Sequence, residues 1–413
     1  MKPFDLFLPC AGGVEELLAE EAMAILGPET SGTLERGGIA LRGDAAAVMA
    51  LNLESRLAQR VLVRVAHGPY RLEDDLYALA RQVPWQAWLT PQQTFKIDVT
   101  AQRSPLRSLN FAALRIKDAL CDVMREESGD RPSVDTQRPQ LRVMLHLTET
   151  HATLYADTSG EPLFKRGWRE DKGEAPLKET LGAAMLAAAG WKGRPEQGGA
   201  LLDPCCGSGT IAIEAAQIAC GIAAGSRRRF AFEGLPPFSG PQARAQWQAL
   251  KQQAQQRVHA PAVPVFASDV AFRMVDFARR NAQRAGVAHA IEFHGGDALE
   301  RPAPRLPDGL ARTLMVNPPY GERIDARGSV GRSRAETDAP DDFFPRLAAH
   351  WKRHFTGWTA WMLSPDMKLP SRMRLKETRR VPLWNGPIEC RLFRFDMVAG
   401  RVREDRAEPP DGD

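Results

Sequence analysis

The sequence predicts an α/β protein in which a mostly parallel, doubly wound sheet follows a smaller α+β region. Strands and helices alternate over 177–400, which is typical of a parallel sheet covered by helices on both faces. Before Asp157 the strands and helices are shorter and mixed, which predicts small α+β units with antiparallel sheets. The length of 413 residues allows two or three domains of ordinary size.

The first 156 residues contain periodic segments with clear boundaries. Apolar residues at helical spacing end at Gly27-Pro28, and Asp44 is placed to cap the next helix. Alternation of apolar and polar residues predicts the strands. The predicted helices are 14–26, 44–53, 72–79 and 111–126, and the predicted strands are 38–41, 61–65, 94–100, 141–147 and 151–157.

The character of the chain changes after Asp157. Residues 157–176 are polar and contain Gly and Pro, which predicts a linker. Two inserts, 221–262 and 325–340, interrupt the later alternation, and the second is rich in Gly, Ser and Arg and is expected to be mobile. The predicted helices are 177–189, 210–220, 270–285 and 343–354, and the predicted strands are 200–203, 264–269, 291–294, 314–316, 358–363 and 388–395.

Composition excludes some classes of protein. No apolar run approaches the length of about 20 residues that a membrane helix needs. The six cysteines lack disulfide-like or metal-like spacing, so we expect free, mostly buried thiols and a cytoplasmic protein. Residues 1–156 carry 17 Lys+Arg and 20 Asp+Glu, whereas 157–413 carry 38 and 31, so the excess positive charge lies in the second part. That distribution is compatible with a polyanionic partner.

A glycine-rich turn follows the first strand of the second part, in LLDPCCGSGT over 201–210. Gly207 and Gly209 let the backbone turn sharply and come close to a ligand at the start of a helix. The segment is neither G-x-G-x-x-G nor a phosphate-binding loop of the G-x-x-x-x-G-K-[ST] type. A tight turn without a ligand is the alternative interpretation.

Two carboxylates stand at later strand ends. Asp269 follows the next strand, where an acid in dinucleotide-type folds binds ribose hydroxyls. The alternative role for Asp269 is to cap the helix that starts at Val270. Asp297, after the strand IEFH, is placed to reach an adenine amino group, or it is a simple turn aspartate.

The most specific motif is Asn317-Pro318-Pro319-Tyr320, directly after the strand LMV. The two prolines stiffen the backbone and aim an amide side chain and a carbonyl beyond the strand end. Asn317 and the Pro318 carbonyl could accept the two hydrogens of an exocyclic amine, while the ring that carries the amine stacks on Tyr320. A rigid proline turn without a ligand is the alternative.

Together, D-P-x-x-G-S-G-T and N-P-P-Y resemble the class I S-adenosylmethionine-dependent amino-methyltransferases. Further segments at 154–169, 175–186, 317–323 and 385–393 resemble the bacterial large-subunit rRNA guanine-N2 methyltransferases that carry a THUMP domain. The resemblance spans nearly the whole chain and is strongest over 154–395. Cys205 departs from the family, which often has Met there.

The resemblance implies a Rossmann-like class I methyltransferase domain over 177–400 that modifies 23S rRNA. It implies a ferredoxin-like domain over 1–60 and a THUMP RNA-binding domain over 61–156, with the linker at 157–176 and a disordered tail at 401–413. Many relatives carry a second methyltransferase domain, which would begin where this chain stops, so one activity is expected. The implied cofactor is S-adenosyl-L-methionine; the partner is RNA without membrane or metal, and the chain is expected to be a monomer. The implied cofactor-binding residues are Asp203, Pro204, Cys206, Gly207, Ser208, Gly209, Thr210, Asp269, Asp297, Ala298 and Asn317, and the implied catalytic residues are Asn317, Pro318, Pro319 and Tyr320.

Several alternatives stay open. The N-P-P-Y motif also serves enzymes that methylate DNA adenine or protein glutamine, and THUMP-bearing relatives modify transfer RNA guanosine. The chain could instead be a cofactor-binding ribosome-assembly factor without activity, whereas a nicotinamide oxidoreductase is disfavoured by the missing third glycine. The run Arg227–Arg229 is either a solvated charge cluster or, given the neighbouring Phe230, Phe232 and Phe238, an RNA contact.

Overall fold

The first part of the chain forms one mixed sheet against which four helices pack. The computed structural model describes residues 3–173, 176–318 and 342–398. The strands of the first part are β1 (Phe4–Pro9), β2 (Gly32–Glu35), β3 (Gly38–Gly43), β4 (Leu62–Pro69), β5 (Thr94–Ala101), β6 (Ser133–Val134), β7 (Leu141–Leu147) and β8 (His151–Asp157). The helices are α1 (Glu15–Leu26), α2 (Ala45–Glu54), α3 (Glu73–Arg81) and α4 (Leu109–Ser128).

Sequence periodicity accounts for most of these elements. In β7 the alternate residues Leu141, Val143, Leu145 and Leu147 are buried, because strand side chains alternate between the two faces. The Asp44 side chain accepts a hydrogen bond from the Ala47 backbone at 2.9 Å, so the predicted cap of α2 is confirmed. The sequence analysis did not predict β1, β2 and β6.

The expectation of separate, antiparallel sheets needs two corrections. The strands form one eight-stranded sheet in the order β2-β3-β1-β4-β8-β7-β5-β6, since β4 pairs with both β1 and β8. In addition, β5 pairs in parallel with β6 and β7. The helix α4 connects β5 to β6 and β7, and a helical crossover returns the chain in the same direction.

The second part is the predicted doubly wound sheet. Its order is β11-β10-β9-β12-β13-β15-β14, parallel from β11 to β13 and antiparallel at β15 and β14. The strands are β9 (Ala200–Asp203), β10 (Val265–Asp269), β11 (Ile291–Gly295), β12 (Arg312–Val316), β13 (Thr359–Ser364), β14 (Arg379–Asn385) and β15 (Ile388–Asp396). The helices are α5 (Glu179–Ala188), α6 (Thr210–Ala219), α7 (Pro241–Gln256), α8 (Phe272–Ala285), α9 (Phe343–His354) and α10 (Leu369–Met373). The sequence analysis missed β14 and α10.

The insert 221–262 joins the two parts through buried aromatic rings. Phe230 and Phe232 stack at 5.5 Å between ring centroids, and both meet Trp247 of α7 edge-on. Phe238 contacts Phe232 and also Phe4 of β1. One continuous hydrophobic cluster therefore extends from the first sheet into the second part, and a separate cluster covers the other face of the second sheet.

The segment 157–173, for which polar composition predicts a linker, is packed between the two parts. Asp157, Arg166 and Trp168 are each at most 1% exposed. Arg166 donates to Glu214 of α6 at 3.0 Å and to the Arg56 carbonyl, just after α2, at 2.7 Å. Arg166 of this segment is thus held by buried partners on both parts, whereas Glu161, Lys165 and Glu170 are exposed.

Some expectations fall outside the described residues. These are the mobility of 325–340, the disordered tail from residue 401, and the positions of Pro319 and Tyr320. Within the described ranges, no helix is both long enough and apolar enough to cross a membrane.

Candidate active site at the carboxyl ends of the second sheet

The strand order of the second sheet defines a crevice. Strand β9 lies between β10 and β12, so the chain winds outward to one side through β10 and β11 and then returns to the other side at β12. In such sheets ligands bind beyond the carboxyl ends of the strands, where the winding direction switches. Asp203, Asp269 and Asn317 stand at these ends, and Asp297 follows β11.

The glycine-rich turn after β9 is held by backbone hydrogen bonds. The Cys206 amide donates to the Ser268 carbonyl at 2.9 Å, and the Gly209 amide donates to the Cys206 carbonyl at 2.8 Å. Both glycines have positive φ, +52° at Gly207 and +93° at Gly209. A Cβ at Gly207 would meet nothing within 4 Å, whereas one at Gly209 would lie 3.0 Å from Cβ of Ala278. Gly207 thus leaves space for a ligand, and Gly209 lets the turn pack against α8.

Ser208 and Thr210, predicted to bind the cofactor, use their side chains elsewhere. The Arg169 guanidinium donates to the Ser208 hydroxyl and to the Thr210 hydroxyl, each at 2.7 Å. Both residues are at most 6% exposed. Their contribution to ligand binding is therefore expected from the backbone, while their hydroxyls hold the turn in place.

Three carboxylates surround the same point of the crevice. Burial raises the pKa of Asp203 well above its usual range, and the nearby Asp269 raises it further. Burial also raises the pKa of the Cys205 thiol, to which Asp269, Asp203 and Asp297 each add an unfavourable negative charge. A cationic ligand beside these groups would favour their ionised forms and so lower these pKa values. In the parts of the chain that the structure describes, no cluster of His, Cys, Asp and Glu could hold a metal ion.

The Asp269 carboxylate accepts hydrogen bonds from two backbone amides. Its Oδ2 accepts from the Gly207 amide and its Oδ1 from the Ala271 amide, both at 2.9 Å. The alternative role as helix cap is wrong, because α8 begins at Phe272 with Ala271 as its N-cap residue. Each carboxylate oxygen has two lone pairs, so Asp269 can still accept hydrogen bonds from a ligand.

Two exposed apolar side chains that were not predicted from the sequence, Val270 and Phe272, form an apolar wall beside Asp269. Val270 is 65% exposed and Phe272 is 75% exposed, and the Phe272 ring packs so closely over Gly295 that a Cβ there would lie 2.4 Å from it. Exposed apolar residues at a strand end suit a flat apolar group of a ligand. The sequence carries no clear signal for them, because apolar residues beside a strand are ordinarily buried.

Asn317 leaves an unsatisfied acceptor at the end of β12. Its Oδ1 is buried and accepts no hydrogen bond from any residue that the structure describes. Buried polar atoms are almost always paired in folded proteins, so this atom is an expected ligand contact. Pro318 is buried beside it. The remaining predicted residues Pro204, Cys206 and Ala298 are also buried around the crevice.

This crevice, with its glycine-rich turn and strand-end carboxylates, defines a class I methyltransferase. The chain belongs to the family described as RMKL-like, methyltransferase domain, whose model matches residues 166–394, more than half of the chain. A model of the THUMP domain matches residues 70–157, and one of the RlmL ferredoxin-like domain matches residues 5–62.

Curated relatives extend this comparison along the chain. A ribosomal RNA large subunit methyltransferase K/L of Syntrophotalea carbinolica is 36% identical over 97% of this chain and 54% of its own length. The protein of the same name from Psychromonas ingrahamii is 37% identical over 96% of this chain and 50% of its own length. The chain thus spans about half the length of these curated relatives.

Solved structures resemble the whole described fold. The SAH complex of SMU.472, which is named as a methyltransferase, matches with a TM-score of 0.82 and 25% identity over 98% of this chain and 100% of that chain. A Listeria monocytogenes protein named as an N6-adenine-specific DNA methylase matches with a TM-score of 0.79 and 25% identity over 96% of each chain. The fold class inferred from the sequence is confirmed.

Proposed function

We propose that this chain transfers a methyl group from S-adenosyl-L-methionine to the exocyclic 2-amino group of a guanosine in 23S ribosomal RNA. The observation that carries the proposal is the Asn317 Oδ1, which is buried and has no hydrogen-bond partner among the described residues. It lies at the same sheet edge as the three carboxylates. The names of the curated relatives support ribosomal RNA as the substrate class.

The crevice fits the cofactor in charge and in shape. S-adenosyl-L-methionine would supply a methyl group made electrophilic by a positively charged sulfur. The carboxylates Asp203, Asp269 and Asp297 favour positive charge nearby, and Asp269 keeps free lone pairs for ribose hydroxyls. Val270 and Phe272 offer an apolar surface to the adenine ring, and the space above Gly207 lets the ligand approach the backbone. The other proposed contacts are Pro204, Cys206, Ser208, Gly209, Thr210, Ala298 and Asn317.

The Asn317 amide is proposed to orient the acceptor amine. An amine attached to guanine is a weak nucleophile, because its lone pair is delocalised into the ring. Hydrogen bonds from both of its hydrogens to Asn317 Oδ1 and to the Pro318 carbonyl favour a geometry in which the lone pair is localised on nitrogen. Positioning of this kind lowers the barrier without a strong general base, since the nitrogen becomes acidic on methylation. Pro319 and Tyr320 complete the proposed catalytic set.

The first part of the chain is proposed to hold the RNA. The match to the THUMP domain supports this assignment, and the excess positive charge of the second part suits the same partner. The guanine amine is hidden in a base pair, so we expect a flipped or single-stranded target. Because the six cysteines are free, we place the protein in a reducing compartment, the cytoplasm, and propose that it acts as a monomer.

The experiment that tests the proposal is a labelling assay. Purified protein is incubated with tritiated S-adenosyl-L-methionine and protein-free large-subunit rRNA or, separately, bulk transfer RNA, and the products are digested to nucleosides. We expect labelled N2-methylguanosine from the rRNA. The same nucleoside from transfer RNA alone would make transfer RNA the substrate in place of rRNA. Label on adenine or on protein would overturn the guanine assignment. Bound cofactor without any label would favour an assembly factor.

Asn317→Ala supplies the matched control for this assay. Loss of the amide should lower the turnover number about 100-fold, because a misplaced reacting group commonly costs that much. Cofactor affinity should fall far less, because Asn317 is one of many proposed cofactor contacts. The thermal midpoint should stay near that of the wild type because Oδ1 has no described partner. Wild-type turnover in this variant would contradict the role proposed for the N-P-P-Y motif.

A further inference from the structure

A short segment of the chain is linked to the glycine-rich turn by hydrogen bonds. We call residues 168–171 the strap; they lie within the polar segment that leads into the second part of the chain. Asn281 of α8 connects the strap to the turn, since its Nδ2 donates to the Asp171 carbonyl at 2.8 Å and to the Ser208 carbonyl at 3.0 Å. Arg284 of α8 donates to the Trp168 carbonyl at 2.9 Å and so fixes the start of the strap.

Arg169 is the residue of the strap that reaches the turn directly. Its Nε donates to the Glu179 carboxylate at 2.7 Å, and its two terminal nitrogens donate to the hydroxyls of Ser208 and Thr210. The Arg169 side chain is 12% exposed and that of Glu179 is 4% exposed. The planar fork of a guanidinium matches this arrangement of three acceptors, which a lysine could not reproduce.

The geometry points to Arg169 as a positioning residue that fixes the glycine-rich turn for cofactor binding. Ser208 and Thr210 flank Gly209, the residue that packs on α8, and their hydroxyls are the contacts through which the guanidinium acts. The Glu179 carboxylate holds the guanidinium in place through a buried, charge-assisted hydrogen bond. This inference rests on the proposed function, because it assumes that the turn binds S-adenosyl-L-methionine.

Arg169→Lys is the main test, with Arg280→Lys as its matched control. Arg280 lies on α8 and pairs with Asp171 of the strap, and among the described residues it makes no hydrogen bond or ion pair with the turn. Affinity for S-adenosyl-L-homocysteine is measured by calorimetry, and KM for the methyl donor is measured beside the turnover number. In Arg169→Lys we expect about a tenfold loss of affinity and a matching rise in KM, because hydrogen bonds to a charged group are lost. The turnover number should change little, the thermal midpoint should fall because two buried hydroxyls lose their donor, and Arg280→Lys should equal the wild type.

A double-mutant cycle separates this mechanism from a general loss of packing. The variant Ser208→Ala with Thr210→Val removes the two hydroxyls and leaves the ion pair of Arg169 with Glu179 intact. If Arg169 acts through the hydroxyls, adding Arg169→Lys to this variant causes no further loss of affinity. Fully additive losses, or wild-type affinity in Arg169→Lys, would overturn the inference. If Arg169→Lys folds poorly, the variant Ser208→Ala with Thr210→Val tests the inference by itself. Wild-type affinity for S-adenosyl-L-homocysteine in that variant would also overturn it.

The result also distinguishes the inference from the proposed function. If the wild-type protein fails to bind S-adenosyl-L-homocysteine, the cofactor assignment fails, whatever Arg169 does. If the wild type binds and Arg169→Lys binds equally well, the cofactor assignment stands and the positioning role fails.

Discussion

Two glycines two positions apart have different roles in the candidate site. Gly207 has open space where a side chain would begin, and Gly209 is pressed against Ala278 of α8. Both have positive φ, so an alanine at either position is strained. The difference lies in the surroundings: one position faces the crevice and the other faces a helix.

We expect Gly209→Ala to destabilise the protein more than Gly207→Ala does. Backbone strain of about 1 kcal/mol applies to both, and overpacking against Ala278 adds roughly 1–3 kcal/mol for Gly209→Ala. Urea unfolding of the two variants measures this difference. Gly207→Ala should instead lower the affinity for S-adenosyl-L-homocysteine. Equal unfolding free energies for the two variants would show that the contact with α8 is not tight.

The apolar wall gives a second prediction for single residues. Val270→Ser and Phe272→Ser remove side chains that are mostly exposed, so the thermal midpoint should stay within a few degrees of the wild type. Affinity for S-adenosyl-L-homocysteine should fall about tenfold if an adenine ring covers these residues. Exposed Val258→Ser, outside the crevice, serves as the control. Unchanged affinity in both wall variants would exclude this surface from the cofactor site.

Among the elements, the insert 221–262 is a structural connection rather than an exposed binding loop. The rings of Phe230, Phe232 and Phe238 are buried, so they cannot stack on bases from solution. Arg228 donates to the carbonyls of Ser159, Glu161, Pro162 and Lys165, which fixes the insert against the segment after β8. The aromatic residues therefore give no support to an RNA contact at Arg227–Arg229. That contact stays a hypothesis, for which exposed Arg227 and Arg229 are the candidates.

We expect Phe232→Ala to destabilise the protein by about 3–5 kcal/mol, the range for deleting a buried aromatic ring. The exposed Arg229→Ala should change the unfolding free energy by less than about 0.5 kcal/mol. Chemical denaturation measures both, and RNA affinity at low and moderate salt is measured on Arg229→Ala alone. Reduced RNA affinity with a weaker salt dependence would support a phosphate contact, and unchanged affinity would exclude it.

At the scale of the whole molecule, one buried ion cluster connects three segments. Glu214 of α6 accepts from Arg56, just after α2, and from Arg166 of the segment between the sheets, each at 3.0 Å. Burial alone would raise the pKa of Glu214, but Arg166 and Arg56 outweigh it, so the pKa lies below its usual value of 4.5. A carboxylate with a lowered pKa stabilises the fold above the unfolded value and loses that contribution as pH falls through the folded value.

Glu214→Gln should therefore destabilise the protein by about 3–5 kcal/mol at neutral pH, because it leaves two arginines without their buried counter-charge. The difference in unfolding free energy between wild type and variant should be constant above pH 5 and shrink as pH falls below 4.5. Urea titrations at several pH values measure it. Glu126→Gln provides the control, because Glu126 is exposed and pairs with Arg81. We expect it to change the unfolding free energy little. A difference that grows towards acid pH would contradict the assignment.

Local sequence patterns predicted most of the helices and strands and the residues of the candidate site. Periodicity placed most helices and strands, and the turn after Asp203 and the motif at Asn317 marked the strand ends at which ligands bind. These signals are local, because each depends on residues within one strand, one turn or one cap. The proposed reaction was then inferred from the resemblance to a known family.

Contacts between distant segments set which side chains lie together. Asp203, Asp269 and Asp297 are far apart along the chain and share one crevice because parallel strands end at the same edge. The merger of the first strands into one sheet, the burial of Phe232 and the fork of Arg169 likewise depend on partners distant in sequence. Polar composition suggested a solvated linker at 157–176, but Asp157 and Arg166 in its described part are buried and hydrogen-bonded. Whether a residue is buried depends on packing partners that are distant in the sequence, so a local pattern alone does not reveal it.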